Sequence, residues 1–328
     1  MKNVLFWAAT AILLVFVTTG KAADTPRRME TVRVAMPGKL VDYSALYVGT
    51  HQGFYQKEGL DLQFVVMRTG IHYPALLAGE VDYTTLFSST IRAALAGMPV
   101  RVLLALNNQQ PFFLLSQPQF KDVRQLRGKR IAVSAFGSST DTATRKALRH
   151  FGLDPNRDAV IMALGDTGVR LAALQSGSVE AAMLSAPHSF IAQRQGFNNL
   201  MWTGDLGGEG QPTNGLSTTV KKMKQQPDQV YRMLRATVRS IIYVQQNREK
   251  VLPVILREFK GWDKESIVQA FEFIVKGMSR DGTFTVSSLQ EMMSDERARL
   301  GIKSEIPVQE VADSDFLARV LRELKEEK

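Results

Sequence analysis

The sequence predicts an α/β protein of two similar lobes with a cleft between them, and three observations lead there. A phrase occurs twice: Gly79-Glu80-Val81-Asp82 runs into Leu86-Phe87-Ser88, and Gly177-Ser178-Val179-Glu180 runs into Leu184-Ser185, each after an apolar helical stretch (74–78 and 171–176). Segments with strand and helix periodicity alternate around both copies. Two polar segments punctuated by Pro or Gly, Asn107-Asn108-Gln109-Gln110-Pro111 and Gln211-Pro212-Thr213-Asn214-Gly215, stand where a chain would cross between halves, although a surface turn has the same composition. A cleft between lobes is a common place to hold a small molecule. Helix, Gly turn and buried strand recur in any α/β protein, so the echo needs its context to count as a repeat.

Taken in order, Thr31 to Met36 alternates like a strand and stops at Pro37-Gly38. Leu46, Tyr47, Phe54 and Tyr55 recur at near-helical spacing, which predicts one helix from Tyr43 or Ser44 through Lys57, ended by Gly59. Leu60 to Met67 reads as a second strand, Arg68-Thr69-Gly70 as a loop, Val81 to Phe87 as a strand, Ser89 to Ala96 as a helix and Val100 to Leu106 as a strand. The second half repeats the alternation with strands over 130–134, 159–164 and 179–184 and helices over 140–151 and 169–176. This order argues for mostly parallel sheets. Beyond Pro227 the pattern becomes long amphipathic helices, with Val230, Met233, Leu234, Thr237, Val238, Ile241 and Ile242 on one face, expected to pack against the first lobe.

The ends and the composition bound the class. Met1-Lys2-Asn3 is a short basic start, Val4 to Val17 is uncharged and mostly apolar, and Gly20-Lys21-Ala22 ends in small residues, the three regions of a secretory signal with cleavage expected after Ala22 or Ala23. The apolar run is shorter than the roughly 18 residues that span a bilayer. The chain has no cysteine, which removes disulfides, thiolate metal sites, Cys nucleophiles and a lipidated cysteine anchor. With 328 residues and 45% hydrophobic content, the core must stabilise it, and a periplasmic protein fits. The formal charge of +9 falls to +7 if Lys2 and Lys21 leave with the signal. Basic residues are scattered among acidic ones, Lys221-Lys222-Met223-Lys224 being the one dense run, so no nucleic-acid partner is expected.

Catalytic patterns are thin. His51, His72, His150 and His188 show no HxxH or HExxH spacing, no GxSxG, Walker or GxGxxG motif occurs, and the glycine-rich Gly204 to Gly210 lacks the Lys-Ser/Thr of a phosphate loop. No metal, cofactor or catalytic residue is therefore expected.

At this point the chain resembles a known family. Ala45 through Leu62 (ALYVGTHQGFYQKEGLDL) is similar to the opening of the NMT1/THI5-like solute-binding proteins, where a helix ending in G-F-Y/F-x-x-x-G-L-x-V/L precedes the second strand. LAGEVD (77–82), LRGKRIAV (126–133) and LQSGSVEA (174–181) follow in the family's order, and the similarity runs from about Val32 to Ala236. The resemblance, of SsuA/TauA kind, implies a type II periplasmic binding fold: residues 1–22 a signal peptide, 23–30 a linker, 31–109 with 216–328 lobe 1, and 110–215 lobe 2. It further implies a monomer that captures a small anionic or heteroaromatic ligand by hinge closure. The partner would be the permease of an ABC importer of the nitrate, sulfonate, taurine or thiamine-precursor class. A sensor module for a membrane receptor is one alternative. A thiamine-pyrimidine synthase-like enzyme is the other, but the synthases carry a cysteine-rich iron-binding motif that this chain lacks and act in the cytoplasm.

Candidate ligand contacts follow from helix starts, where free N–H groups and the helix dipole hold an anion, and where open α/β sheets place their clefts. Ser88 and Ser89 after the first echo, and Ser138, Ser139 and Thr140 after the strand ending at Ser134, are expected to face each other across the cleft. Ordinary capping by Ser, Thr and Asp is the alternative. Ser44 in Asp42-Tyr43-Ser44 is a rim candidate, Thr69-Gly70 and Asp166-Thr167-Gly168 occupy corresponding loops, and His188 closes the second echo. Arg68, Arg92, Arg145 and Arg170 lie near loops or helix starts, with surface positions as their default.

Overall fold

The computed structural model describes residues 29–109, 111–206 and 211–327; the signal-peptide expectation over residues 1–22 lies outside them. In chain order, β1 (Glu30–Met36), α1 (Ser44–His51), α2 (Phe54–Lys57), β2 (Leu60–Val66), α3 (His72–Ala78), β3 (Tyr83–Leu86), α4 (Ser88–Leu95) and β4 (Val100–Ala105) form the first lobe. The second comprises β5 (Phe112–Ser116), β6 (Lys129–Val133), α5 (Ser139–His150), β7 (Ala159–Ala163), α6 (Thr167–Gln175), β8 (Ala181–Ser185), α7 (His188–Arg194) and β9 (Asn198–Trp202). β10 (Asn214–Thr219) then returns to the first sheet, followed by α8 (Val220–Gln225), α9 (Pro227–Gln246), α10 (Arg248–Glu258), α11 (Lys264–Gly277), α12 (Val286–Leu300) and α13 (Asp315–Glu326).

The two sheets share one plan. Their strand orders are β2-β1-β3-β10-β4 and β7-β6-β8-β5-β9, each with one antiparallel strand in the fourth place. Both antiparallel strands directly follow a passage between the sheets, β5 after the segment that leaves β4 through residues 106–109 and β10 after 211–213. The sequence echo is the same corner of that plan. α3 ends at Gly79 (φ 78°) and feeds β3; α6 ends beside Gly177 (φ 72°) and feeds β8, and each of those strands is third in its sheet. A left-handed residue there turns the chain from helix to strand at no steric cost to glycine.

Three expectations change. The single helix predicted from Ser44 to Lys57 is broken by Gly53 (φ 71°) into α1 and α2. β5 and β10 fall in stretches read only as crossovers and their flanks, and β10 begins at Asn214, so residues 214 and 215 sit in the first sheet. β10 is wholly buried yet polar, and its hydroxyls are satisfied inside the sheet: Ser217 Oγ donates to Leu86 O at 3.1 Å and Thr218 Oγ1 to Asp82 O at 2.7 Å. The C-terminal helices also reach both lobes. α9 buries Met233, Leu234, Val238 and Ile241 in one cluster with Leu46, Val48 and Tyr55, and α12 packs Leu289, Met292 and Met293 on Phe87 and Ile91 of α4 and its approach. Phe273 of α11, however, stacks against Phe113 and Trp202 of the second lobe with centroids 5.0 and 5.6 Å away.

Gly215 lies where β10 passes closest to β4. A Cβ there would enter the van der Waals envelope of Leu104 O and come within 2.7 Å of Phe87 Cδ2. Backbone cannot give way as a flexible side chain would, so Gly215→Ala is expected to destabilise the protein by about 1–3 kcal/mol; an unchanged urea midpoint would show that β10 can shift.

Candidate functional site

The carboxyl ends of the parallel strands in both sheets converge on one cleft, whose empty space with open solvent included is about 440 Å³. Pro37 after β1, Thr69 after β2 and Leu86 of β3 meet Ser134 after β6, Gly165 after β7 and Ser185 of β8, with Phe112 and Asn214 entering from the two antiparallel strands. That is where open α/β sheets place ligands, and here two sheets supply it at once.

The second lobe's wall is built by the starts of α5 and α6. Ser138 caps α5 by accepting from Asp141 N at 3.3 Å, and its hydroxyl closes a triangle with Ser134 and Thr140 at 2.8, 2.9 and 3.0 Å. Of the first α5 amides, Ser138 N bonds Ala135 O and Asp141 N bonds the cap, whereas the N–H groups of Ser139 and Thr140 have no acceptor among the described residues. They are donors aligned with the positive end of a three-turn helix. Asp166 caps α6 through Gly168 N at 2.7 Å. Arg170, one turn on, is fully buried and splays its guanidinium over Met183 O, Gly165 O and Thr167 Oγ1 at 2.9, 2.6 and 2.8 Å. Burial pushes its pKa down to about 10, with the Asp166 charge opposing. Three of its five N–H donors are spent, which leaves two.

Asp42, Tyr43 and Asn214 make the first lobe's wall. Asn214 Nδ2 donates to Asp42 Oδ2 at 2.9 Å, and the Tyr43 hydroxyl donates to Asn214 Oδ1 at 3.4 Å. Asp42 Oδ1 has no partner. Burial drives the Asp42 carboxyl up to about 7, the Asn214 hydrogen bond only partly opposing it.

Five of the expected residues, Thr69, Ser138, Ser139, Thr140 and Asp166, line this cavity. Ser88 lies beside it, in a second hollow of about 440 Å³ with Ser139, Gly137, Gln211, Thr213 and Glu296, where its Oγ has no partner. Ser139 borders both hollows. The remaining four are placed elsewhere. Ser44 is fully buried and donates its hydroxyl to Val41 O. Gly70 is exposed on the rim beyond Thr69. Ser89 is buried. His188 stands behind α6, edge-to-face with Trp262 of the first-lobe side at 5.0 Å, and burial holds its pKa near 4. Arg170, expected on the surface, is in the cavity wall, where its long stem is covered and its donors hold loop carbonyls. Asn214 and Tyr43 carried no sequence signal beyond lying next to a turn and a helix start.

The lobes touch on both sides of the cavity. On one, Arg299 of α12 donates to Asp141 Oδ2 at 3.4 Å and to Thr142 of α5; on the other, Arg194 of α7 pairs with Asp263 at 3.2 Å and with Glu265 of α11. The side chain of Asp166 stands directly over Gly38, where a Cβ would collide with it. The cleft is thus flanked by contacts that a rotation of one lobe would break.

The NMT1/THI5 like family matches residues 41–251. The chain belongs to this family. A relative from Bacillus subtilis (strain 168), YtlA, named as a binding protein, is 23% identical over 275 residues and covers 81% of both chains. Among solved structures, this family member resembles the periplasmic aliphatic sulphonate binding protein SsuA from Escherichia coli (18% identity, TM-score 0.67, covering 87% of this chain and 92% of that one). It also resembles the desulfurization enzyme DSZB (16% identity, TM-score 0.65, covering 90% and 99%). At such identities the likeness shows the fold, that of periplasmic binding proteins, and function has to be argued from the site. No helix among the described residues is long and apolar enough to cross a membrane.

Proposed function

We propose that this protein is an extracytoplasmic solute-binding protein that captures a small anionic or heteroaromatic ligand between its lobes and delivers it to the permease of an ABC importer. The observation that carries it is the cleft at the strand ends of both sheets, with the unclaimed Ser139 and Thr140 amides on one wall. Ligand bound there contacts both lobes at once, so it stabilises the closed arrangement over the open one by its differential affinity. The crossovers at 107–109 and 211–213 serve as hinges, and the closed surface docks on the permease. No covalent step is involved, and no residue of the wall forms a nucleophile–base pair of the kind that acyl transfer needs. Localisation in the periplasm and the anion class of the relatives' ligand complete the reading.

The mature chain, screened by thermal shift against sulfonates, nitrate, bicarbonate, aromatic carboxylates and pyrimidines, is expected to gain several degrees with one class at about 100 times its Kd, because a ligand of the folded state alone adds about 2.7 kcal/mol there. The ligand should be recovered unchanged. A ligand recovered as a different compound would instead establish an enzyme.

A further inference from the structure

We infer that the ligand of this cleft is bipolar: an anionic head sits against the α5 start and Arg170 on the second lobe, and an N–H donor at the other end is read by Asp42 on the first. The inference rests on the binding role proposed above and specifies what is bound.

The two walls are chemically opposite. On the second lobe, the anion-seeking groups are the free amides of Ser139 and Thr140 and the remaining donors of Arg170, while the one carboxylate there, Asp166, is occupied by Gly168 N and lies in the field of Arg170. Asp42, on the first lobe, has neither compensation. It is 3% exposed, no lysine, arginine or histidine pairs with it among the described residues, and its one side-chain partner is Asn214. Tyr43 donates into Asn214 Oδ1, which turns the Nδ2 group toward Asp42, where Oδ2 accepts it. The open position is Oδ1, buried, unpartnered and part of a residue that borders the cavity. A buried acceptor without a donor is unfavourable, and a ligand N–H supplies the donor. A purely anionic ligand does the reverse: with no cation beside Asp42 it binds only with that carboxyl protonated, whereas a ligand N–H favours the ionised form. Sites built to hydrogen-bond a ligand N–H reject analogues lacking it far more strongly than apolar sites reject a missing methylene.

The test uses matched pairs that differ in a terminal ammonium, a cationic N–H donor: 2-aminoethanesulfonate with ethanesulfonate, and 3-aminopropanoate with propanoate, titrated calorimetrically into the wild-type chain and into Asp42→Asn. The amino member of at least one pair is expected to bind wild type about tenfold or more tighter than its partner, and Asp42→Asn to bring the two within about twofold. Asp42→Ser serves as a second variant should the amide re-form the contact, and the melting curve of each reports its folding. Binding of a pair without preference, or a preference that survives both variants, overturns the inference and leaves the anion-binding cleft standing. Binding of neither member of either pair overturns the anion head as well, and with it this assignment.

Discussion

Replacing Ser139 with tryptophan is expected to weaken every cleft ligand by at least about 100-fold, or roughly 3 kcal/mol, and to leave the melting temperature within about 2 °C. Ser139 is the first residue of α5, half-buried, with a hydroxyl that makes no hydrogen bond among the described residues, and it borders both hollows of the cleft. An indole there occupies ligand space and covers the free Ser139 and Thr140 amides without removing a contact on which the fold depends. Its neighbour behaves differently. Ser138 is 4% exposed, caps α5 and belongs to the hydroxyl triangle, so a bulky residue at 138 loses a cap worth about 0.5–2 kcal/mol and crowds a packed corner as well. Adjacent serines of the same type therefore separate binding from stability: calorimetry and thermal melts on Ser139→Trp and Ser138→Trp should give affinity loss alone in the first and a lowered melting temperature in the second. Affinity retained in Ser139→Trp would remove the α5 start from the site.

What the sequence made legible is what local periodicity and turn chemistry encode. The Gly79 and Gly177 corners were visible because a helix that must stop and reverse into a buried strand needs a left-handed residue, and both copies bring the same strand to the same place in its sheet. Helix starts expected at 140 and 169 and found at 139 and 167 are marked by hydroxyls and Asp, which are cap signals whether or not a ligand binds. β10 was not, because Asn-Gly-Leu-Ser-Thr-Thr reads as a turn and becomes a strand only when β3 and β4 close on both sides of it. The same long-range closure hides half of the site: Asn214 enters the wall more than 170 residues after Asp42, and nothing local marks either as its partner. Arg170 was misplaced for a related reason. An arginine on an amphipathic helix is ordinarily solvated, and only the chain's return at Met183 provides the carbonyl that lets it be buried.

Between pH 6.5 and 5 the protein is expected to lose about 1 kcal/mol of stability, and His72→Gln to flatten that loss. His72 is fully buried on α3, its Nε2 donating to Met67 O at 3.1 Å and its Nδ1 accepting from the Thr84 hydroxyl at 2.7 Å, so the neutral ring is satisfied at both nitrogens. Burial lowers its pKa from 6.5 to about 4, the Met67 carbonyl opposing weakly; His188 is lowered to the same value by burial, with Asp166 and Arg170 acting in opposite senses. From pH 6.5 down to 4 the unfolded chain takes up a proton at each ring that the folded chain does not, so stability falls with acidity by about 1.4 kcal/mol per unit per histidine. Asp42 has the opposite sign: raised from 3.8 to about 7, it binds its proton in the folded state first and adds stability as pH falls through that range. Two histidines against Asp42, with the buried Glu296 carboxyl also raised and acting in the same sense as Asp42, leave a slope of about one proton or less. Ion-paired carboxylates such as Glu180, held near 2 chiefly by Arg130, begin to matter only below their unfolded 4.5 and stay out of this window. His72→Gln will be less stable than wild type at pH 7, where Thr84 and Met67 lose their partner, but the quantity that decides is the slope: near zero for His72→Gln, and about twice that of wild type for Asp42→Asn, by urea denaturation at pH 6.5 and 5. Equal slopes in wild type and His72→Gln would place that ring within reach of solvent protons, and would require α3 to open before the rest of the first lobe.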